Sequence, residues 1–96
     1  MFSVKPLPEF TDWLSNIKDG ITLRRLARRL EKAQLGNLGD VKSVGDGVWE
    51  MREFFGPGWR MYDVMQGQTI VVMLGGGDKA TQQADIAAAV VLSKNI

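Results

Sequence analysis

Arg52, Arg60 and Tyr62 stand on either side of a Gly56-Pro57-Gly58 loop, and Lys79 follows a Gly75-Gly76-Gly77 run. These residue types can act on a polyanion. A guanidinium holds phosphate oxygens through paired N–H donors, an ammonium adds a point charge, and a phenol can stack on a base or polarise a nucleophile. If the hairpin closes symmetrically on its loop, Arg52 lies opposite Tyr62 and Phe54 opposite Arg60. Side chains alternate along a strand, so both arginines and the only tyrosine share one face. Such a face suits the phosphates and bases of RNA. The local alternative is a set of cross-strand ion pairs with Glu50, the tyrosine ring merely covering sheet.

The glycines before Lys79 would let backbone amides approach an anion, with a following helix adding its dipole. The local alternative is a strand-to-helix turn capped by Asp78 or Thr81. The nucleotide-binding pattern GxxxxGK[ST] is not met, and a chain of this length lacks room for the rest of that fold. A second basic group comprises Arg24, Arg25, Arg28, Arg29 and Lys32, all within one helical stretch. They read either as a solvated helix face or as a grip on RNA or ribosome backbone through counterion release. Lys18 and Lys42 would extend this patch, and Asp19 and Glu31 dilute it.

Composition limits the chemistry. The chain has 96 residues, a net charge of +1 and 45% hydrophobic residues, which predicts a single domain, 1–96, with a real core. So mild a charge makes any electrostatic case depend on local clustering. There is no cysteine, so neither disulfides nor thiolate metal sites can form. There is no histidine either, which removes the commonest metal ligand and general base. No metal and no cofactor is expected. The opening residues lack a signal-peptide core and no segment is apolar enough to span a membrane, so a cytoplasmic location is expected.

The elements that must position these groups follow from periodicity. Phe2 to Val4 suggests an edge strand ended by Pro6 and Pro8. Phe10, Trp13, Leu14 and Ile17 lie at helical spacing, in a helix stopping near Asp19-Gly20. A second helix runs from Ile21 to Leu35 with Leu23, Leu26, Ala27, Leu30 and Ala33 as its apolar stripe. From Leu38 the period becomes two. Asp40–Val44, Val48–Phe55, Trp59–Met65 and Thr69–Leu74 read as strands, the last of them central, and Thr81–Lys94 as a closing helix. The predicted class is α+β: an N-terminal helical hairpin packed on a three- to four-stranded antiparallel sheet, with a C-terminal helix.

Along the hairpin, Trp49, Met51, Phe55, Trp59, Met61 and Met65 fall on one side, interrupted by Glu53 and Asp63. Glu50, Arg52, Phe54, Arg60, Tyr62 and Val64 fall on the other. The aromatic side must pack on helices; the charged side is expected to be open. Trp13 and Trp49 are expected in the core and Trp59 at its edge.

The blocks Phe10-x-x-Trp13-Leu14, Lys18-Asp19, Gly36-Asn37-Leu38-Gly39-Asp40-Val41-Lys42, Val44-Gly45-Asp46-Gly47-Val48, Glu50-Met51-Arg52, Gly56-Pro57-Gly58-Trp59-Arg60-Met61-Tyr62, Gly76-Gly77-Asp78-Lys79-Ala80-Thr81-Gln82 and Asp85-Ile86 span nearly the whole chain. In this order they resemble the phage-derived, HigB-like "addiction module killer" branch of the RelE/ParE toxin superfamily. The resemblance implies a RelE-like fold and a toxin neutralised by a cognate antitoxin, a HigA-like helix-turn-helix protein through which alone operator DNA would be bound. It implies ribosome-dependent cleavage of mRNA, in which the ribose 2′-hydroxyl attacks the adjacent phosphate without a metal. Arg60 and Arg52 match arginines of two family blocks and would hold the phosphate. Lys79 would stabilise charge, and Tyr62 would stack or polarise the nucleophile. Asp85 or Glu50 would be left to carry protons. The same superfamily contains ParE-like inhibitors of DNA gyrase that do no catalysis, which is the alternative reading. A non-toxic interaction module or decayed toxin is a third.

Overall fold

A computed structural model describes residues 1–96. The chain runs through β1 (Ser3–Pro6), α1 (Pro8–Ser15), α2 (Gly20–Gln34), β2 (Val41–Gly45), β3 (Val48–Arg52), β4 (Arg60–Gln66), β5 (Ile70–Gly77), a 3-10 turn (Lys79–Thr81) and α3 (Gln82–Ser93). The strands make one five-stranded sheet in the order β1-β5-β4-β3-β2. The α+β class stands. The sheet is larger than expected and mixed rather than antiparallel, because β1 pairs parallel with β5 from Ser3↔Ile70 to Pro6↔Met73. Parallel pairing needs a crossover, and here α1, α2 and the β2–β4 meander together supply it. Strand periodicity alone could not show so long-range a partner. No helix is long and apolar enough to cross a membrane.

The helix boundaries are set by local chemistry. Pro8 opens α1, where a missing N–H is harmless. Asp19 does not end the first helix; it caps the second. Its carboxylate accepts from the Ile21 amide at 3.3 Å and the Thr22 hydroxyl at 2.8 Å. The Thr22 hydroxyl, then the Ile21 amide, hold this carboxyl below its usual range.

The sheet is covered on both faces. Phe10, Leu26, Ala33, Met51, Met61, Val71 and Met73 form a buried cluster beneath α1 and α2. Val48, Tyr62, Val72, Leu74 and Ala89 form a second cluster beneath α3. The expected division of the hairpin into two faces is therefore right. The charged face, however, is not open, since α3 lies across it. The apolar residues Ile86, Ala89 and Val90 of α3 need a surface to cover, and the helical hairpin already occupies the other one. Periodicity marks a helix as amphipathic without saying which face of a sheet receives it.

The triple glycine is part of β5, not a turn before Lys79. A Cβ at Gly76 would collide with the Trp13 ring, and one at Gly77 with the Asp85 carboxylate. These positions allow α1 and α3 to approach the same strand from opposite sides. The expected anion-cradling loop is absent for that reason.

Arg29 ties α2 to the sheet. Its Nε donates to the Leu38 carbonyl at 3.1 Å and its other nitrogens to the Asp40 and Arg52 carbonyls at 2.6 and 2.8 Å. It also pairs with Glu53 at 2.9 Å. This explains how Glu53 is tolerated on the packed side. Asp63, its fellow interruption, is instead truly buried at 5% exposure. Trp49, expected in the core, is 40% exposed.

Two outcomes follow. Replacing Arg29 by Met removes the guanidinium from the part-buried Leu38 and Arg52 carbonyls and from Glu53, while the Asp40 carbonyl keeps the Arg52 amide; chemical denaturation should show a loss of about 3 kcal/mol, against roughly zero for Arg28→Ala on the solvent side. Burial raises the Asp63 carboxyl to about 7, with Arg29 opposing the shift. The folded chain then keeps this proton where the unfolded chain releases it near 3.8. Stability from this group is full below about pH 4 and is lost as pH rises through about 7, by an amount on the order of a few kcal/mol. Denaturant midpoints measured from pH 4 to 8 should fall in the wild type and flatten in Asp63→Asn.

Candidate functional site

The β3–β4 register pairs Glu50 with Tyr62 and Arg52 with Arg60. A symmetric closure on Gly56-Pro57-Gly58 would have put Arg52 opposite Tyr62. The loop is displaced because Phe55 and Gly58 close a tight turn, Gly58 N–H to Phe55 carbonyl at 3.1 Å, while Glu53 N–H donates to the Trp59 carbonyl at 2.9 Å. The displacement amounts to two residues across the pair, so side-chain parity survives. Arg52, Arg60 and Tyr62 do share a face.

Sharing a face does not make them accessible. Tyr62 is fully buried, and its hydroxyl donates to Glu50 Oε2 at 3.0 Å. Burial, reinforced by the Glu50 hydrogen bond and charge, drives its phenol far above the usual range. The Tyr62 ring cannot stack on a base in this arrangement, and its hydroxyl is committed. Arg60 is 9% exposed. Its Nε lies 3.7 Å from the same Glu50 oxygen, and it donates to the Gly58 carbonyl at 2.6 Å. Gln82 of α3 joins the Tyr62 hydroxyl as a second hydrogen-bond donor to that oxygen, at 3.0 Å. The cross-strand ion pair with Glu50, the alternative in the sequence, thus holds for Arg60. Gln82 was not foreseen, because only the docking of α3 brings it over the hairpin.

Arg52 is different. Its side chain is 30% exposed and pairs with the 42%-exposed Asp40 at 3.2 Å. Its guanidinium carbon lies 5.4 Å from the centre of the Phe54 ring, which is 76% exposed. Lys79 is exposed, sits at the start of the 3-10 turn, and donates its amide to the Pro57 carbonyl at 3.3 Å. Arg52, Arg60 and Gly77 occupy one row across three strands, so Lys79 stands just past the end of that row. Of the proposed proton carriers, Glu50 is buried, and Asp85 accepts from the Thr81 hydroxyl at 2.6 Å.

The basic stripe of α2 adjoins the hairpin tip. Arg24, Arg25, Arg28 and Lys32 are exposed, as is Lys42 on β2. Arg29, grouped with them in the sequence, is not; it is spent internally on the carbonyls and Glu53. Periodicity placed it on the polar arc, but that arc ends against the Leu38–Asp40 loop. Arg25 lies over the Phe55 ring, 4.2 Å from its centre. Arg25, Arg28, Arg29, Lys32, Glu53 and Phe55 line a groove of about 170 Å³. Phe54 and Phe55 are the site residues that sequence reasoning undervalued; two aromatics beside a Gly-Pro-Gly tip were the available signal. No three His, Cys, Asp or Glu side chains converge in a way that could hold a metal ion.

The end of the sheet therefore has two layers. A sealed Glu50–Arg60–Tyr62–Gln82 cluster lies inside, and an outer rim carries Arg25, Arg28, Arg52, Lys79 and Phe54. Glu50→Ala should cost about 3–5 kcal/mol in a denaturation experiment, because it strands a buried guanidinium and two donors. Arg52→Ala should cost under about 1 kcal/mol, as expected for an exposed pair.

No protein-family model matches the chain. An uncharacterized protein of Haemophilus influenzae (strain ATCC 51907 / DSM 11121 / KW20 / Rd) is 39% identical over 93 residues, covering 97% of this chain and 94% of its own length. At that identity over nearly the full length of both chains, this protein belongs to one family with the Haemophilus protein.

Proposed function

We propose that this protein is the toxin of a type II toxin–antitoxin module, with a RelE-like fold, that cleaves mRNA on the ribosome in the cytoplasm. The observation that carries the reading is the rim at the hairpin tip. Arg25, Arg28, Lys32 and Lys79 are exposed and enter none of the chain's three ion pairs. Arg25, Arg28 and Lys32 line a groove with Phe55, Arg52 lies by the Phe54 ring, and Lys79 is held at the Pro57 carbonyl of the same loop; interleaved cations and aromatics suit single-stranded RNA. The ordered blocks shared with HigB-like toxins point the same way.

In the proposed step the ribose 2′-oxygen bonds to the adjacent phosphorus and the 5′-oxygen leaves with a proton. A 2′,3′-cyclic phosphate and a 5′-hydroxyl result, and no metal enters. Arg52 and Lys79 stabilise the added charge on the phosphorane oxygens, and Phe54 stacks on a base. Arg60 acts from behind, orienting the hairpin tip through the Gly58 carbonyl. Tyr62 has no place as acid or base, so proton transfer falls to groups of the ribosome or substrate. An antitoxin encoded alongside, HigA-like by the same resemblance, would neutralise the chain.

The burial of Arg60 and Tyr62 favours one other reading, a ParE-like inhibitor that binds DNA gyrase without catalysis. The two are separated by inducing the chain in bacteria and mapping RNA 5′ ends. Growth arrest with new ends inside coding sequences is expected, and Arg52→Ala/Lys79→Ala should reduce those cuts by about 100-fold or more while remaining folded. Arrest with intact message and stabilised gyrase–DNA breaks selects the gyrase reading instead.

A further inference from the structure

A cleft of about 200 Å³ opens on the α1–α2 side of the sheet, lined by Phe2, Leu38, Val41, Trp49, Asp63 and Met65. It lies away from the basic rim: Trp49 pairs with Asp63 three rows along the hairpin from the Arg52–Arg60 pair. Five of its six lining residues are hydrophobic. The sixth, Asp63, is 95% buried by its 5% exposure, and no protein group donates a hydrogen bond to its carboxyl. Arg29 is the charge acting on it, and that guanidinium is already committed to three carbonyls and Glu53.

We propose that this cleft binds a small ligand with an apolar body and a terminal ammonium group. The Asp63 carboxyl lines the apolar cleft with no protein donor to meet it, and an incoming N⁺–H supplies both the hydrogen bond and the opposite charge. The apolar walls require an apolar body. Cavities of roughly 150 Å³ accept benzene, so an aromatic ring fits this space. The half-exposed Trp49 pairs with Asp63 across the hairpin and lines the same cleft, which puts an aromatic ring next to the cation's carboxylate partner. Anionic ligands are disfavoured by the carboxylate, and strongly polar ones by the walls.

The test is an NMR titration of the full chain with benzylamine, and with benzyl alcohol as its uncharged counterpart, at about pH 8, above the range in which Asp63 takes up its proton. Benzylamine should shift the Trp49, Asp63 and Met65 amides saturably. Asp63→Asn should weaken it roughly tenfold or more while leaving benzyl alcohol within about twofold. Met65→Trp, which fills the cleft, should abolish both, and it serves if Asp63→Asn does not fold. Equal affinity of benzylamine for wild type and Asp63→Asn, undiminished binding to Met65→Trp, or no saturable shift up to about 20 mM would overturn the proposal. None of these outcomes bears on RNA cleavage, which rests on other residues.

Discussion

One buried carboxylate organises the functional end of this molecule. Glu50 Oε2 receives the Tyr62 hydroxyl and the Gln82 amide and faces the Arg60 guanidinium. Those donors come from β4 and α3, so one oxygen joins the middle of the sheet to the helix covering it. A charge so deeply placed is tolerable only with its donors in position. The β3–β4 register, the docking of α3 and the direction of Arg60 are therefore mutually dependent. A slip of one residue would send Glu50 to the opposite face and leave Arg60 unpaired.

Arg29 does the same on the other side of the sheet, with reversed sign. A planar guanidinium with five donors in a fixed fork meets three carbonyls and a carboxylate at once, four contacts where a lysine ammonium has only three donors. The segments it joins are the Leu38–Asp40 loop and the end of β3. Fixing them sets the Phe55 ring beneath Arg25 and brings the α2 cations alongside the hairpin tip. Of the chain's many arginines, then, two are internal ties and the rest form the surface. Only the latter can meet a partner without first disrupting the fold.

An arginine and a tyrosine on one strand face have the residue types of a phosphate site, and Arg60 and Tyr62 do share that face. Its accessibility depended on α3. With α3 in place, the chemistry available to an external polyanion moves outward to Arg52, Lys79 and the two phenylalanines of the tip. The glycines of β5 changed meaning in the same way. They are the small residues that let Trp13 and Asp85 close on one strand from both sides, not amides turned toward an anion.

The sequence by itself determined whatever has a short repeat or a local signal. Alternation of apolar and charged residues fixed which side chains of β3 and β4 share a face. The 3.6-residue spacing fixed the helices, and the absence of cysteine and histidine fixed the chemistry that could not occur. Tertiary structure alone decided the parallel pairing of β1 with β5, the face chosen by α3, the internal roles of Arg29 and Arg60, and the burial of Asp63. The reason is physical. Periodicity records that a residue must leave water or stay in it, whereas partner choice depends on which distant surface arrives to cover it, and that is settled only by the simultaneous packing of the whole chain.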